Sequence, residues 1–104
     1  DQGELQRVRQ IYGISGDYIL SVGSIQPRKN LTRLISAYMR LRLARPEEKL
    51  PQLVIVGKRA WRYRETVLAI EKVGAGAVIV DTGYVPAADL PALYSGAVCF
   101  VYDR

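Results

Sequence analysis

The chain has 104 residues, with 15 Lys or Arg against 10 Asp or Glu, a formal net charge of +5, and no histidine. Histidine metal sites and histidine general bases are therefore excluded within it. No apolar run approaches the length of a membrane span, and residues 1–10 are polar and charged, unlike a signal peptide. An apolar share of 49% and a charged share of 24% describe one ordinary globular domain, able to bury roughly 60–65% of its unfolded surface.

Leu5, Val8 and Ile11–Tyr12 predict a first short helix that ends at Gly13. Tyr18–Val22 is an apolar run of strand length, followed by Gly23 and a basic loop through Asn30. Leu31, Leu34, Ile35 and Tyr38 fall at helical spacing and predict a helix to about Leu43, stopped by Arg45-Pro46. Gln52–Val56 is a second strand, ended by Gly57. A helix is expected over Trp61–Val73, closed by Gly74-Ala75-Gly76. Ala77–Val80 is a third strand, with Asp81-Thr82-Gly83 after it. Asp89 is expected to cap a short helix through Tyr94, with Pro91 in its first turn. Ala97–Tyr102 is a fourth strand, and Cys99 within it reads as a small buried residue.

Continuous apolar strands alternating with helices predict an α/β fold, a doubly wound parallel sheet of four strands with helices on both faces. Burial should be highest at Ile19, Leu20, Val22, Leu53, Ile55, Val56, Ile79 and Val98. Ligands of such sheets bind beyond the carboxyl ends of the strands. Gly23, Gly57 and Gly83 each lie at or just past such an end, although glycines also punctuate loops generally. The chain stops at the fourth strand with no closing helix, and reads as a fragment of a longer one.

The loop from Gly23 to Asn30 suits an anion. Asn30 can cap the following helix, whose first turn offers unpaired N–H groups and a partial positive charge. Arg28 and Lys29 add two full charges beside it, and Gly23 permits close approach of a ligand to the backbone. The spacing is neither the Walker loop nor Gly-x-Gly-x-x-Gly. The same loop also reads as a solvated connection with two surface charges. Two basic clusters follow apolar runs, 28–33 and 58–64. A third, 40–45, lies where a helix end attracts cations.

Three ordered stretches carry a resemblance to a known family. Tyr-Ile-Leu-Ser-Val-Gly-Ser-Ile-Gln-Pro-Arg-Lys-Asn-Leu (18–31), Leu-Val-Ile-Val-Gly (53–57) and Gly-Tyr-Val-Pro-Ala-Ala-Asp-Leu-Pro-Ala-Leu-Tyr-Ser-Gly-Ala (83–97) resemble group 1 (family four) glycosyltransferases, retaining enzymes built from two Rossmann-like domains (GT-B). The resemblance covers Tyr18–Tyr102. It implies that residues 1–104 are a single truncated part of the C-terminal, nucleotide-sugar-binding Rossmann-like domain, with the acceptor-binding domain absent. By that resemblance Gly23 lies at the donor diphosphate, Lys29 contacts it, and Arg28 stands beside it, the two cations serving catalysis. Ser24 occupies a position where many relatives carry arginine. Gly57 and Lys58 match the strand end near the nucleotide, and Tyr84 and Val85 the segment whose backbone meets the base. The family's two glutamates, seven residues apart, would follow strand four, and Tyr102-Asp103-Arg104 departs from the Pro-Ser usual there.

The activity so implied is retaining transfer of a hexosyl unit, with GDP-mannose the favoured donor, in polysaccharide biosynthesis. The donor is a substrate, so neither a cofactor nor a metal is expected. The other partner is an acceptor glycan or lipid-linked sugar, reached through the missing domain. Location is expected in the cytoplasm, or peripherally at the inner face of the cytoplasmic membrane. The isolated fragment is expected to be inactive and prone to self-association. A second reading is a nucleotide-diphosphate-binding module without transferase activity. A third, a basic domain for nucleic acid, needs exposed aromatics among its cations. Only Trp61 and Tyr63 are candidates, and a helical tryptophan is more often a packing residue, so no nucleic-acid partner is expected.

Overall fold

A computed structural model describes residues 2–22, 31–57, 68 and 78–101. Its elements are α1 (Gln2–Tyr12), β1 (Tyr18–Val22), α2 (Leu31–Ala44), β2 (Gln52–Val56), β3 (Ile79–Gly83), a 3₁₀ turn (Ala87–Asp89), α3 (Leu90–Gly96) and β4 (Cys99–Phe100). The four strands form one sheet in the order β3-β2-β1-β4, and every neighbouring pair is parallel. Tyr18 pairs with Gln52 and Val22 with Val56, while Ile19 and Leu20 pair with Cys99 and Phe100.

Side chains alternate across the sheet and feed two separate cores. Leu53, Ile55 and Ile79 pack with Ile35 and Tyr38 of α2, with Ile19 and Leu34 partly buried beside them. On the other face Tyr18, Leu20, Val54 and Val56 pack with Val8 of α1, Leu93 of α3, Ile14 and Val85. The expected parallel sheet with helices on both faces is therefore present. Each core has a tyrosine whose ring is buried and whose hydroxyl finds a backbone carbonyl. Tyr38 donates to Pro51 O at 2.6 Å, and Tyr18 to Leu93 O at 2.7 Å. Such a partner is what makes a buried phenol tolerable.

The termini of the helices follow their sequences. α1 stops because Gly13 takes φ +73°, and Ile14 N–H then bonds back to Arg9 O at 2.9 Å, a C-terminal motif closed by the buried Ile14. α2 ends before Arg45-Pro46, with Arg45 N–H still reaching Leu41 O. The amide N–H of Ser15 donates to Gln52 Oε1 at 2.8 Å, which gives the buried first residue of β2 a polar partner.

Several expectations need correction. The third strand is Ile79–Gly83 rather than Ala77–Val80, because Asp81 pairs with Ile55 and Gly83 with Val56, with the register slipping past Thr82, so polar residues continue an outer strand. The fourth strand is only Cys99–Phe100. Val98 is 54% exposed and Phe100 44%, and Cys99 is exposed rather than buried. β4 has β1 on one side, and no described element lies on the other. Val22 is exposed as well, because β1 runs two residues beyond its last pairing with β4. Ile19 is partly buried. Asp89 occupies the cap position of α3 but makes no side-chain cap bond. The expected helix over Trp61–Val73 lies outside the described residues, except Leu68, which is helical and exposed.

Candidate functional site

Because all pairs are parallel, the ends of the strands gather at one edge. Val22 of β1 stands beside Val56 of β2, which stands beside Gly83 of β3. The chain enters 23–30 from Val22 at this edge and leaves it into α2 at Leu31. Gly23, Ser24, Arg28, Lys29 and Lys58 lie outside the described residues, as does Asn30. Of the sequence-predicted set the structure describes Gly57, Tyr84 and Val85, and it brings them together.

Gly57 follows β2 directly, and its N–H donates to Gly83 O at 3.0 Å, extending the ladder to the last residue of β3. Gly83 has φ +69°, a conformation that side-chain-bearing residues seldom adopt. The turn there is tied by its own polar residues. Gly83 N–H donates to Asp81 Oδ1 at 3.2 Å, and Thr82 Oγ1 lies 3.0 Å from Gly83 O and 3.4 Å from Ile55 O. Beyond it, Tyr84 is 70% exposed and Val85 is buried in the α1/α3-side core. One residue is thus presented at the edge while the next anchors the segment below it. This arrangement offers an aromatic face and a held stretch of backbone where an extended ligand can lie.

The sequence places Asp81 and Thr82 after the strand and does not mark them as site residues, yet they end β3 and tie its turn. The signal was present, since an Asp two residues before a glycine is the pattern of a side chain accepting from the backbone two positions on.

A second polar cluster closes the far end of the same segment. Arg7 Nη2 donates to Asp89 Oδ1 at 2.6 Å, and Tyr12 Oη donates to Asp89 Oδ2 at 2.9 Å. Arg7 also bonds Glu4 through Nε and Nη2, at 3.3 and 3.0 Å. The Arg7 and Tyr12 hydrogen bonds hold the Asp89 carboxyl below its ordinary range. Burial, then the bond to Asp89, pushes the Tyr12 phenol up. Arg7 is held more firmly protonated by its bond to Glu4 and then by that to Asp89. Nothing in the linear sequence joins residues 7 and 12 to 89, so pattern reading could not find this cluster.

Two hollows lie elsewhere. One of about 470 Å³ is lined by Leu5, Ala88, Pro91, Ala92 and Ser95 between α1 and α3. The other, about 210 Å³, lies by Gly16, Asp17 and Lys49 at the amino end of the sheet. Neither includes the glycine-bearing edge. Among the described residues no helix is long and apolar enough to cross a membrane.

Comparison with known proteins follows the same outline. The profile of a family described as "Glycosyl transferases group 1" matches residues 6–104. The chain is 36% identical over 85 residues to O-antigen chain mannosyltransferase B of Escherichia coli, covering 82% of this chain and 22% of that protein. It is 33% identical over 92 residues to D-inositol 3-phosphate glycosyltransferase of Jonesia denitrificans, covering 88% and 22%. With mannosylfructose-phosphate synthase of Agrobacterium fabrum it shares 29% over 101 residues, covering 92% and 22%. In three dimensions it is similar to Anabaena HepE, solved in complex with UDP and glucose, with a TM-score of 0.72 at 17% identity, covering 98% of this chain and 27% of that one. The chain therefore spans about a fifth of the length of these curated relatives.

Proposed function

This chain belongs to the group 1 glycosyltransferases, and we propose that it forms part of the nucleotide-sugar-binding domain of such an enzyme. The donor is a nucleoside diphosphate sugar, whose glycosyl unit passes with retention to an acceptor hydroxyl in polysaccharide assembly while the nucleoside diphosphate leaves. The observation that carries the reading is the common carboxyl edge. Gly57, Gly83 and Tyr84 meet there, and the chain leaves β1 for the basic 23–30 loop from the same edge. In open α/β sheets that is where nucleotides bind.

In this reading the base meets the Tyr84–Val85 backbone near Gly57, and the diphosphate is bound by the 23–30 segment through Gly23, Ser24 and Lys29, ahead of α2 at Leu31. As the glycosidic bond to the donor breaks, negative charge grows on the departing diphosphate. Lys29, Arg28 and the amino end of α2 stabilise that charge, which is electrostatic catalysis. Lys58 adds to the same field. GDP-mannose is the favoured donor, supported by the mannosyltransferase named among the relatives. The acceptor, a glycan or lipid-linked sugar, is held by a second domain, and the enzyme works in the cytoplasm or at the inner face of the cytoplasmic membrane.

The test is a titration of GDP and UDP against the intact enzyme and its Lys29→Ala variant. Loss of a hydrogen bond to a charged group is expected to cost about 1.5–3 kcal/mol, roughly 10–150-fold in Kd. Equal affinities in the two proteins would remove Lys29 from the site. Tighter binding of GDP than UDP supports the guanosine donor, and the reverse order rejects it.

A further inference from the structure

Asp89 is 7% exposed and stands where a helix usually takes a cap from the side chain, yet it makes none. Its two carboxylate oxygens are given instead to Arg7 and Tyr12 of α1. Exchanging a local bond for two partners at the other end of the sequence turns this residue into a tie between segments. The stretch it terminates is the one that carries Tyr84. At its start, Gly83 is fixed by the N–H of Gly57 and by the Asp81 and Thr82 side chains. In its middle, Val85 is buried. At its end, Asp89 N–H bonds Pro86 O at 2.9 Å, and the Asp89 carboxylate holds the whole turn against α1.

The geometry points to Asp89, gripped by Arg7 and Tyr12, as a positioning residue that fixes the 84–88 backbone and so lets α1 set the affinity of this edge for a nucleotide. The inference rests on the nucleotide reading of the edge given above. It adds Asp89, Arg7 and Tyr12 to what governs that edge, and a role for α1 that needs no contact with the ligand. An ordered segment binds more tightly because the cost of ordering it is met before the ligand arrives.

The experiment uses the intact enzyme with GDP and UDP as probes. Arg7→Ala, Asp89→Asn and the double variant are compared with wild type by calorimetric titration, and amide exchange is followed at 84–88 and in β2. Each single variant is expected to weaken nucleotide binding about fivefold or more, the lower end of ordinary coupling between sites. The double variant should be no weaker than the worse single one, because both remove one tie. Exchange should quicken at 84–88 while β2 keeps its protection, a local signature that a general loss of stability would not give. Arg7→Lys, which keeps a charge near the carboxylate, should recover part of the affinity. If Asp89→Asn does not fold, Arg7→Ala and Tyr12→Phe carry the test, since both leave the carboxylate in place. Wild-type affinity in folded variants, or strictly additive losses, overturns the proposal while the nucleotide site stands. Absence of GDP and UDP binding by wild type overturns the site, and this proposal with it.

Discussion

β2 and β4 are written in the same kind of residue and end in opposite surroundings. Gln-Leu-Val-Ile-Val is buried at all five positions, while Cys99 and Phe100 are both exposed, as is Val98 before them. The difference is one of place in the sheet. β2 has a strand on each side and an apolar cluster on each face. β4 has one described neighbour, and the Phe100 ring lies against the Tyr94 ring, 4.9 Å between centroids. An apolar run announces a strand, whereas burial is conferred by neighbours that the run does not encode.

The widest gap should appear on truncating one apolar side chain in each strand. Leu53→Ala, at a 1% exposed site, is expected to cost about 2–5 kcal/mol. Phe100→Ala should cost under about 1 kcal/mol, as surface changes do. Urea denaturation of the two variants measures both, and similar losses would mean that β4 is covered as fully as β2.

A middle-sized effect belongs to Gly96, the last residue of α3. A Cβ there would stand 2.6 Å from the Tyr18 hydroxyl and 2.7 Å from Leu5 Cδ1. Alanine is the better helix former by up to about 1 kcal/mol, but the overlap works against it. Gly96→Ala is expected to destabilise by about 1–3 kcal/mol, the scale of overpacking, and a thermal melt in which the variant matches or exceeds wild type would show that the α1–α3 contact yields easily.

The smallest effect concerns acid. Arg7 first, then Tyr12, depresses the Asp89 pKa below its ordinary 3.8. A group whose folded value is lowered stabilises fully above its unfolded value and loses that contribution as pH falls through the folded one. Melting temperature should therefore decline below about pH 4, and Asp89→Asn should be less stable than wild type at pH 6, with the difference shrinking toward pH 2. A constant difference between the two across that range would show that the Asp89 charge is not the cause.

The middle of the sheet was legible because each strand there is an apolar run with a clear stop. Tyr18–Val22 and Gln52–Val56 are bounded by glycines at their carboxyl ends, and their observed limits agree with those markers. The α2 face was equally plain, since Ile35 and Tyr38 sit at helical spacing and are buried. Legibility fell at the outer strands. Asp81 and Thr82 look like a loop because they are polar, but their side chains bond the turn after β3 from within the strand. Asp89 has the profile of a cap, and only the fold reveals that Arg7 and Tyr12 compete for it. At the site, strand-end glycines marked the edge correctly through Gly57 and Gly83, whereas the bonds that hold Tyr84 in place depend on partners from β2 and on Asp81 and Thr82.

The Tyr18 hydroxyl has a consequence for the order of folding. α3 has seven residues, well short of the roughly 12–15 that an isolated helix needs to persist in water. The carbonyl of Leu93 lies in its last turn and takes an additional donor. The donor comes from Tyr18, 75 residues earlier in the chain. A helix completed by a strand from the opposite end of the sequence is a poor seed. It gains a reason to persist only after β1 is in place, which puts its contacts on the native side of the folding barrier. Such contacts govern how long the domain lasts rather than how quickly it forms. Tyr18→Phe is accordingly expected to unfold faster in stopped-flow measurements while refolding near the wild-type rate, and a slowed refolding limb would instead place α3 in the folding nucleus.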